Sequence, residues 1–518
     1  DQGRSTRWVE KNRKLLEEVL PLSLAPFGLW PLGIAALAGW FVLLRSHRIS
    51  GAVSGWLFGV GKYGVGASWV YVSIHVYGNA PPPLAGFLVV LFVAGLALFP
   101  LVNGWLYDRL ARRRPWPDAA LFVALFSAFE WLLTWVLTGF PWLYAGYAHL
   151  DTPLAGWAPV GGVLLVGVLV AGSAVLLVRA VDLARQRRWR GVAATLAAVL
   201  AVWVAGAGLE RVTWVTPGGT HSVVLVQGNV DQSVKWQPEN RIPILRHYQA
   251  LTEPAWGADL VIWPEAAVTF FSHQATDVLA AMDGRGEAAG TTLVLGIPTV
   301  ERLPDGGVVL YNAARALGVG SGRYLKRRLV PFGEYVPLEG VLRGAIEFFD
   351  LPMSRSAAGP WRQPLLDLGD HGAVMAICYE IVYPGLVRAQ AAGAGVLLTI
   401  SNDSWFGASI GPLQHLEMAR MRALENGRWL LRGTNNGVTA IVDHRGRIVD
   451  RLPQFEAGGL RGEYRVMTGT TPFTRVGHWP VLGLIVLMLL AVLAALLAEA
   501  ARRRRGGQDR RCRAFGWS

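Results

Sequence analysis

Long apolar runs separated by short polar breaks fill the first 211 residues, and one further run lies near the end of the chain at 479–499. The runs at 51–75, 84–107, 117–138, 157–179 and 191–209 each approach the length, on the order of 20 residues, that takes an α-helix across a bilayer. The stretch 17–45 is too long for one straight crossing and short for two. Pro21, Pro26 and Pro31 interrupt it, which predicts a tight helical hairpin. Between 212 and 476 the pattern changes. Short, β-branched runs at 222–227, 260–263, 292–297, 373–378 and 395–400 predict strands of a sheet buried on both faces. Helical periodicity falls at 239–251, 274–289 and 412–428, and 440–452 reads as a hairpin around Asp443-His444-Arg445-Gly446. The expected fold is an α-helical polytopic bundle of about eight spans carrying one α/β domain. Residues 1–211 hold seven spans, the first two as a hairpin; 212–476 form the water-facing domain; 477–501 are the last span; 502–518 form a basic tail.

Composition agrees with this partition: 52% of residues are hydrophobic and only 16% charged, with a mean hydropathy of +0.34, the balance of a membrane protein. A net charge of +13 would fit a nucleic-acid binder if the basic residues shared one face. They do not: Arg112 to Arg114, then Arg185, Arg187, Arg188 and Arg190, then Arg502 to Arg505 each follow an apolar run, as topology determinants do. Nucleic acid is therefore excluded as an expected partner. With a hairpin at 17–45, these clusters and Lys11, Arg13, Lys14, Arg45 and Arg48 fall on one side, while the loops 77–83 and 140–157 contain no Lys or Arg. The positive-inside rule then places both termini in the cytoplasm and the domain outside. The chain begins Asp1-Gln2-Gly3, and no cleavable signal pattern stands apart from the first apolar segment, so targeting is expected to come from the spans. Cys378 and Cys512 fall on opposite sides of the membrane in this topology, so no disulfide is expected.

Candidate chemistry lies at three strand ends: Glu265 in Trp263-Pro264-Glu265, Lys326 in Tyr324-Leu325-Lys326, and Cys378 in Cys378-Tyr379-Glu380. A thiol is mostly protonated near neutral pH, so it needs a base, and Glu265 supplies a carboxylate. A carbonyl under attack becomes an oxyanion, which the Lys326 ammonium and a backbone N–H beside Cys378 would stabilise. Glu334, eight residues beyond Lys326 across a Pro-Phe-Gly turn, would orient the lysine or relay protons. Such a trio performs acyl transfer through a covalent intermediate.

These motifs resemble the Glu-Lys-Cys triad of the nitrilase superfamily. With Lys326 followed by Leu329-Val330-Pro331-Phe332-Gly333-Glu334-Tyr335-Val336-Pro337, their wording is similar to one membrane-embedded branch, the apolipoprotein N-acyltransferases. The resemblance covers essentially the whole chain apart from the Arg-rich tail after 501. It implies a nitrilase-like αββα sandwich domain facing the periplasm of a bacterial inner-membrane protein. It implies that Cys378 takes an acyl chain from a phospholipid, typically phosphatidylethanolamine, and passes it to the α-amine of a diacylglyceryl-cysteine at the start of an apolipoprotein. By the same match Glu265 is the base, Lys326 the intermediate stabiliser, Cys378 the nucleophile and Glu334 a supporting carboxylate. Tyr379 and Glu380, with Trp236, Trp405 and Phe406, match positions that line or gate the cleft. No cofactor or metal is implied, and a monomer is expected.

Blander readings apply to each residue taken alone. Cys is among the most often buried residue types, a lone Glu after a strand is usually a solvated or capping carboxylate, and Lys326 adjoins Arg327 and Arg328 as a surface basic run would. Glu334 and Glu380 would then satisfy neighbouring arginines, and Trp236, Trp405 and Phe406 would be ordinary core or interfacial aromatics. His415 on a helix invites a Cys-His protease, but a single helical His is usually a surface or core residue. Lys62 and Glu130 lie inside spans, where pairing within the bundle and a substrate role are both open. Two rival functions remain: a membrane-anchored nitrilase-like amidase, in which water resolves the thioester, and a non-enzymatic transporter or scaffold.

Overall fold

A computed structural model describes residues 20–302, 306–335 and 355–514. Of the hairpin expected at 17–45, residues 17–19 lie outside the described residues; the rest is a 3-10 turn, Leu20–Ser23, followed by helix α1, Trp30–Ser46. Helix α2, Gly51–Gly66, and helix α3, Pro82–Leu110, pack closely because glycines leave no side chain between them. A Cβ on Gly55 would stand 1.9 Å from the Pro100 carbonyl oxygen, and one on Gly51 2.1 Å from that of Gly104. This is the small-residue packing by which membrane helices gain dispersion contacts without a hydrophobic driving force. The run 51–75 is not one helix: after α2 come short helical turns at Val70–Val72 and Ser73–Tyr77. Helix α4, Pro115–Leu132, likewise stops short, and Leu137, Thr138 and Gly139 then adopt positive φ. Helices α5, Ala158–Arg185, and α6, Trp189–Leu209, complete the first part. Lys62 of α2 and Glu130 of α4 face each other at 3.8 Å inside the bundle, and Glu130 Oε1 also accepts from the Ala145 N–H at 2.8 Å.

The polar region forms two sheets. The strands are β1 Val215–Gln227, β2 Leu260–Ile262, β3 Thr292–Gly296, β4 Thr299–Arg302, β5 Val308–Tyr311, β6 Ala313–Gly318 and β7 Arg323–Leu325. They continue with β8 Leu366–Asp367, β9 Gly372–Ile377, β10 Val396–Ser401, β11 Leu430–Thr434, β12 Ala440–Val442, β13 Ile448–Arg451 and β14 Gly458–Gly469. Among the described residues one sheet has the order β14-β1-β2-β3-β6-β7, the other β13-β12-β11-β10-β9-β8, and β4 with β5 forms a small hairpin. Parallel centres, β1-β2-β3 and β9-β10-β11, carry antiparallel edges.

Period-two alternation sets the layers. Val223 and Leu225 of β1 pack against Met375, Ile377 and Leu398 of the other sheet, while Val224 and Val226 turn outward onto helix α7, Arg241–Thr252, and helix α8, Thr276–Ala289. On the far side, Val374, Leu397 and Leu430 pack under helix α9, Pro384–Ala391, and helix α10, Gly411–Asn426. The layers thus run helix, sheet, sheet, helix. Each fully buried Leu or Val contributes roughly 1.5–3 kcal/mol, and the apolar cluster under α9 and α10 continues without a break into the bundle, to Phe41, Phe122 and Val166.

Helix α11, Trp479–Ala514, leaves the domain and packs on α4. Among the described residues four helices are long and apolar enough to cross a membrane: Pro82–Leu110, Pro153–Arg185, Trp189–Leu209 and Trp479–Ala498; Trp30–Ser46 is shorter. Five of the six central strands, the three helices and the hairpin expected for the domain form; the sixth central strand, β11, carries no expectation from the sequence. The edge strand β14 was not expected, because every second residue along Arg461-Gly462-Glu463-Tyr464-Arg465 faces water and the apolar signal is halved.

Candidate active site

The triad converges at the carboxyl ends of the parallel strands, as open α/β sheets favour. Glu265 follows β2 after Trp263-Pro264, and its Oε2 accepts the backbone N–H of Asn402 at 2.8 Å just beyond β10. Its Oε1 accepts from Asn312 Nδ2 at 2.7 Å and from Lys326 Nζ at 3.3 Å. Lys326 follows β7, is 1% exposed, and gives its shorter contact, 2.9 Å, to Glu334 Oε1. Glu334 is fixed in turn, since its Oε2 accepts the Val330 N–H at 2.9 Å across the Pro-Phe-Gly turn. One ammonium therefore bridges two carboxylates, and one amide does the same: Asn312 Nδ2 also donates to Glu334, at 3.0 Å.

Cys378 follows β9 on a turn in the left-handed region, φ +52°, and is partly exposed where its neighbours are buried. Burial, and then Glu265, push its thiol pKa up, with Lys326 opposing. Burial also pushes the Glu265 carboxyl up, but Lys326, Asn312, Lys235 and the Asn402 N–H outweigh it and hold the group below its usual range. Lys326 is the reverse: burial lowers its pKa, and Glu265 and Glu334 more than restore it, so the amine stays charged. The site thus holds a neutral thiol, an ionised carboxylate and an ammonium together. That set can take a proton from sulfur as it attacks a carbonyl and stabilise the oxyanion that results.

Glu380 is buried and binds the chain instead of facing the site. Its Oε2 accepts the Ile377 N–H at 2.8 Å, and its Oε1 accepts from the Tyr324 hydroxyl at 2.9 Å and from the N–H groups of Arg327 and Arg328 at 2.7 and 3.1 Å. It staples the Cys378 turn to the segment that follows Lys326. Tyr379 points to the bundle, its hydroxyl donating to the Gly139 carbonyl at 3.0 Å. Phe406 packs edge-on against Trp69 at 4.7 Å, and Trp405 against Tyr77 at 5.9 Å, so both lie against the membrane-embedded half. Trp236 is half-buried, directly after the buried Lys235, whose Nζ donates to the Glu265 carbonyl at 3.2 Å. Burial lowers the Lys235 pKa to about 8.

Two residues here were not legible as site residues. Asn312 is an isolated amide between β5 and β6, with no motif around it; only the convergence of β6 and β7 brings it to both carboxylates. His415, the protease candidate, directs Nε2 at the Cys378 carbonyl, 3.1 Å away, and so does not act on the thiol. Folding also gathers His221, Asp370 and His371, which are not spaced as ligands in sequence; their candidate ligand atoms lie within 4.8 Å of one another. His221 lies midway along β1, two residues before its pairing with β2 begins, and Asp370 and His371 directly precede β9, at the opposite end of that strand from Cys378.

Comparison with known proteins covers both halves of the chain. The family described as "Apolipoprotein N-acyltransferase N-terminal domain" matches residues 19–176, and "Carbon-nitrogen hydrolase" matches residues 222–480. The apolipoprotein N-acyltransferase of Azotobacter vinelandii is 48% identical over 475 residues, 91% of this chain and 92% of that one. That of Pseudomonas aeruginosa is 48% identical, covering 90% of this chain and 91% of its own. That of Vibrio cholerae is 42% identical, covering 89% and 92%.

Proposed function

Because the chain belongs to the apolipoprotein N-acyltransferase family, we propose that it carries a fatty acyl group from a phospholipid to the N-terminal amine of a diacylglyceryl-cysteine on an apolipoprotein, through a thioester on Cys378. The observation that carries the mechanism is the Lys326 ammonium, buried between Glu265 and Glu334 beside the thiol.

The thiol pKa is raised and that of Glu265 lowered, so a free thiolate is not formed in advance; the proton moves to Glu265 as sulfur attacks the ester carbonyl. Lys326 stabilises the oxyanion. Collapse breaks the carbonyl–oxygen ester bond, and Glu265 returns the proton to the departing lysophospholipid oxygen. In the second half, the acceptor's α-amine attacks the thioester, loses a proton to Glu265, and the Cys378 sulfur leaves and is reprotonated. An amide is formed, and the enzyme is restored. Glu334 and Asn312 keep the ammonium aimed. Glu380 holds the two catalytic segments together, and Trp236, Trp405 and Phe406 line the way in. No cofactor is required.

The protein is a bacterial inner-membrane enzyme in this reading, with 212–476 in the periplasm and both termini in the cytoplasm. Three features support that topology. The Lys- and Arg-free loop 140–157 packs on the domain, Asp151 pairing with Arg420 at 2.6 Å. The Arg112 and Arg185 clusters lie at the other ends of α3 and α5. Both substrates are lipids, so a cleft tethered at the bilayer surface meets them at high effective concentration. Phosphatidylethanolamine is the proposed donor and a monomer the proposed state.

Mass spectrometry of the purified protein tests the mechanism. A fatty-acyl adduct on Cys378 after incubation with phosphatidylethanolamine, stable in water and discharged by a diacylated lipopeptide, is expected. Rapid release of free fatty acid, or ammonia from small amides, would assign a hydrolase instead. Reporter fusions near Thr220 and at Ser518 test the topology.

A further inference from the structure

Behind the nucleophile lies a polar chain that the proposed reaction does not use. Cys378 occupies left-handed backbone, which for a residue with a Cβ costs about 1–3 kcal/mol and persists only where the surroundings hold it there. One hold comes from the interior. His415 Nε2 lies 3.1 Å from the Cys378 carbonyl oxygen. A carbonyl accepts, so Nε2 carries the hydrogen. Burial, and then Arg432, lower the ring's pKa, and Nδ1 faces two partners, Arg432 Nη2 at 3.1 Å and Asp403 Oδ1 at 3.2 Å. The same Nη2 donates to Asp403 Oδ2 at 2.6 Å, and Asp403 Oδ1 accepts the Ser401 hydroxyl at 2.5 Å. Four side chains, each at most 1% exposed, thus lead from β10 and β11 through α10 to one peptide carbonyl.

Stability does not explain this cluster, because a buried ion pair is usually matched or bettered by apolar residues of the same volume. Its charge-assisted hydrogen bonds, those of Arg432 all made through Nη2 while Nε and Nη1 have no partner among the described residues, do fix geometry. The next residue on α10 extends the hold: Gln414 Oε1 accepts from Trp142 Nε1 at 2.7 Å and Trp69 Nε1 at 3.2 Å, and its Nε2 donates to the Gly66 carbonyl at 3.1 Å. Residues 414 and 415 therefore tie the nucleophile's backbone to the end of α2.

We propose that His415 is a positioning residue for acyl transfer, its Nε2–H, aimed by Arg432 and Asp403, holding the Cys378 carbonyl so that the left-handed turn presents the sulfur to Glu265 and Lys326. The proposal rests on the reading of Cys378 as nucleophile. It predicts that the donor at the Nε2 position matters more than bulk or charge.

His415→Gln and His415→Asn separate these, because a glutamine amide reaches the Nε2 position and an asparagine amide reaches only that of Nδ1. In full-length protein, in detergent with phosphatidylethanolamine and a diacylated lipopeptide, Gln is expected to keep kcat within about tenfold of wild type, and Asn to lower it about 100-fold at near-constant KM, the usual effect of a misplaced reacting atom. Alkylation of Cys378 by iodoacetamide should fall in the same order. Both variants responding alike, at unchanged thermal midpoints, would overturn the proposal. If neither folds, Asp403→Asn, which keeps the shape and releases Arg432, should slow alkylation about tenfold, and an unchanged rate would overturn it equally. Wild-type protein that forms no acyl adduct would instead sink the acyl-transfer reading, while the alkylation order still judges His415.

Discussion

Tyr379, the residue after Cys378, donates its hydroxyl to the backbone carbonyl of Gly139, 3.0 Å away on the loop that follows α4. That carbonyl also accepts from Tyr383 at 3.2 Å, and Tyr383 reaches the Thr138 carbonyl at 3.0 Å. Removing one hydroxyl leaves the second in place, so Tyr379→Phe should cost only about 0.5–1.5 kcal/mol. Tyr379→Phe combined with Tyr383→Phe leaves both carbonyls without these donors and is expected to cost more than the sum. A double-mutant cycle on the thermal midpoint, with acyl-enzyme formation measured in parallel, checks this; strict additivity would show the loop and the turn to be uncoupled.

Lys326→Met leaves Glu265 and Glu334 facing each other in a buried site without the cation between them. Removing one member of a buried ionic set typically costs about 3–5 kcal/mol, and losing an oxyanion stabiliser about 100- to 1000-fold in kcat. Acyl-adduct formation on Cys378 should therefore fall at least that far. Glu334→Gln keeps the bulk and one acceptor, so a smaller loss is expected.

Asn312→Ala withdraws a donor from both carboxylates at once. Each buried acceptor left short costs about 1–3 kcal/mol. Asn312→Asp, which adds a third carboxylate, should be worse than Ala in both stability and acyl transfer, and the ranking of the two by melting temperature and turnover decides whether charge or shape governs the position.

Acid stability has a definite sign. Burial would raise the Asp403 carboxyl, but Arg432 and His415 hold it well below the usual range, and Glu265 is also depressed. A depressed folded-state pKa gives stability that is complete above the unfolded value, about 4, and that is lost as pH falls through the folded value. The thermal midpoint should accordingly drop on acidification below about pH 4, and Asp403→Asn should flatten that drop while lowering the plateau at neutral pH. The thiol behaves oppositely: with its pKa raised, Cys378 alkylation should keep climbing through about pH 9 instead of levelling off.

Gly55→Leu places a side chain where the Pro100 carbonyl already stands. Separation of α2 and α3 is expected, read as a lower melting temperature of the detergent-solubilised protein, with Gly64→Leu, where a Cβ would meet nothing nearer than 3.9 Å, as the tolerated control.

What the sequence made legible follows from distance along the chain. Glu265, Lys326 and Cys378 stand inside local motifs, and five strands announce themselves as short apolar, β-branched runs, so both could be read from short windows. Asn312 and the carbonyl-holding role of His415 depend on partners 47 and 37 residues away and leave no local mark. The resemblance places Glu380 along the cleft, whereas its contacts run to backbone N–H groups on two segments. The breaks after Gly66 and Leu132 leave no mark in the sequence, because an apolar run looks alike whether it forms one helix or a helix and a turn.

The apolar cluster shared by α9, α10 and the bundle has a consequence for handling the protein in parts. A fragment cut at 212 and 476 would bare Leu386, Leu416 and the phenol of Tyr379 to water, and would lose the Gly139 carbonyl that receives that phenol. Such an excised piece should clump, and its thiol should lack the geometry of the intact enzyme. The lipid-embedded helices are in this sense the missing wall of the catalytic chamber.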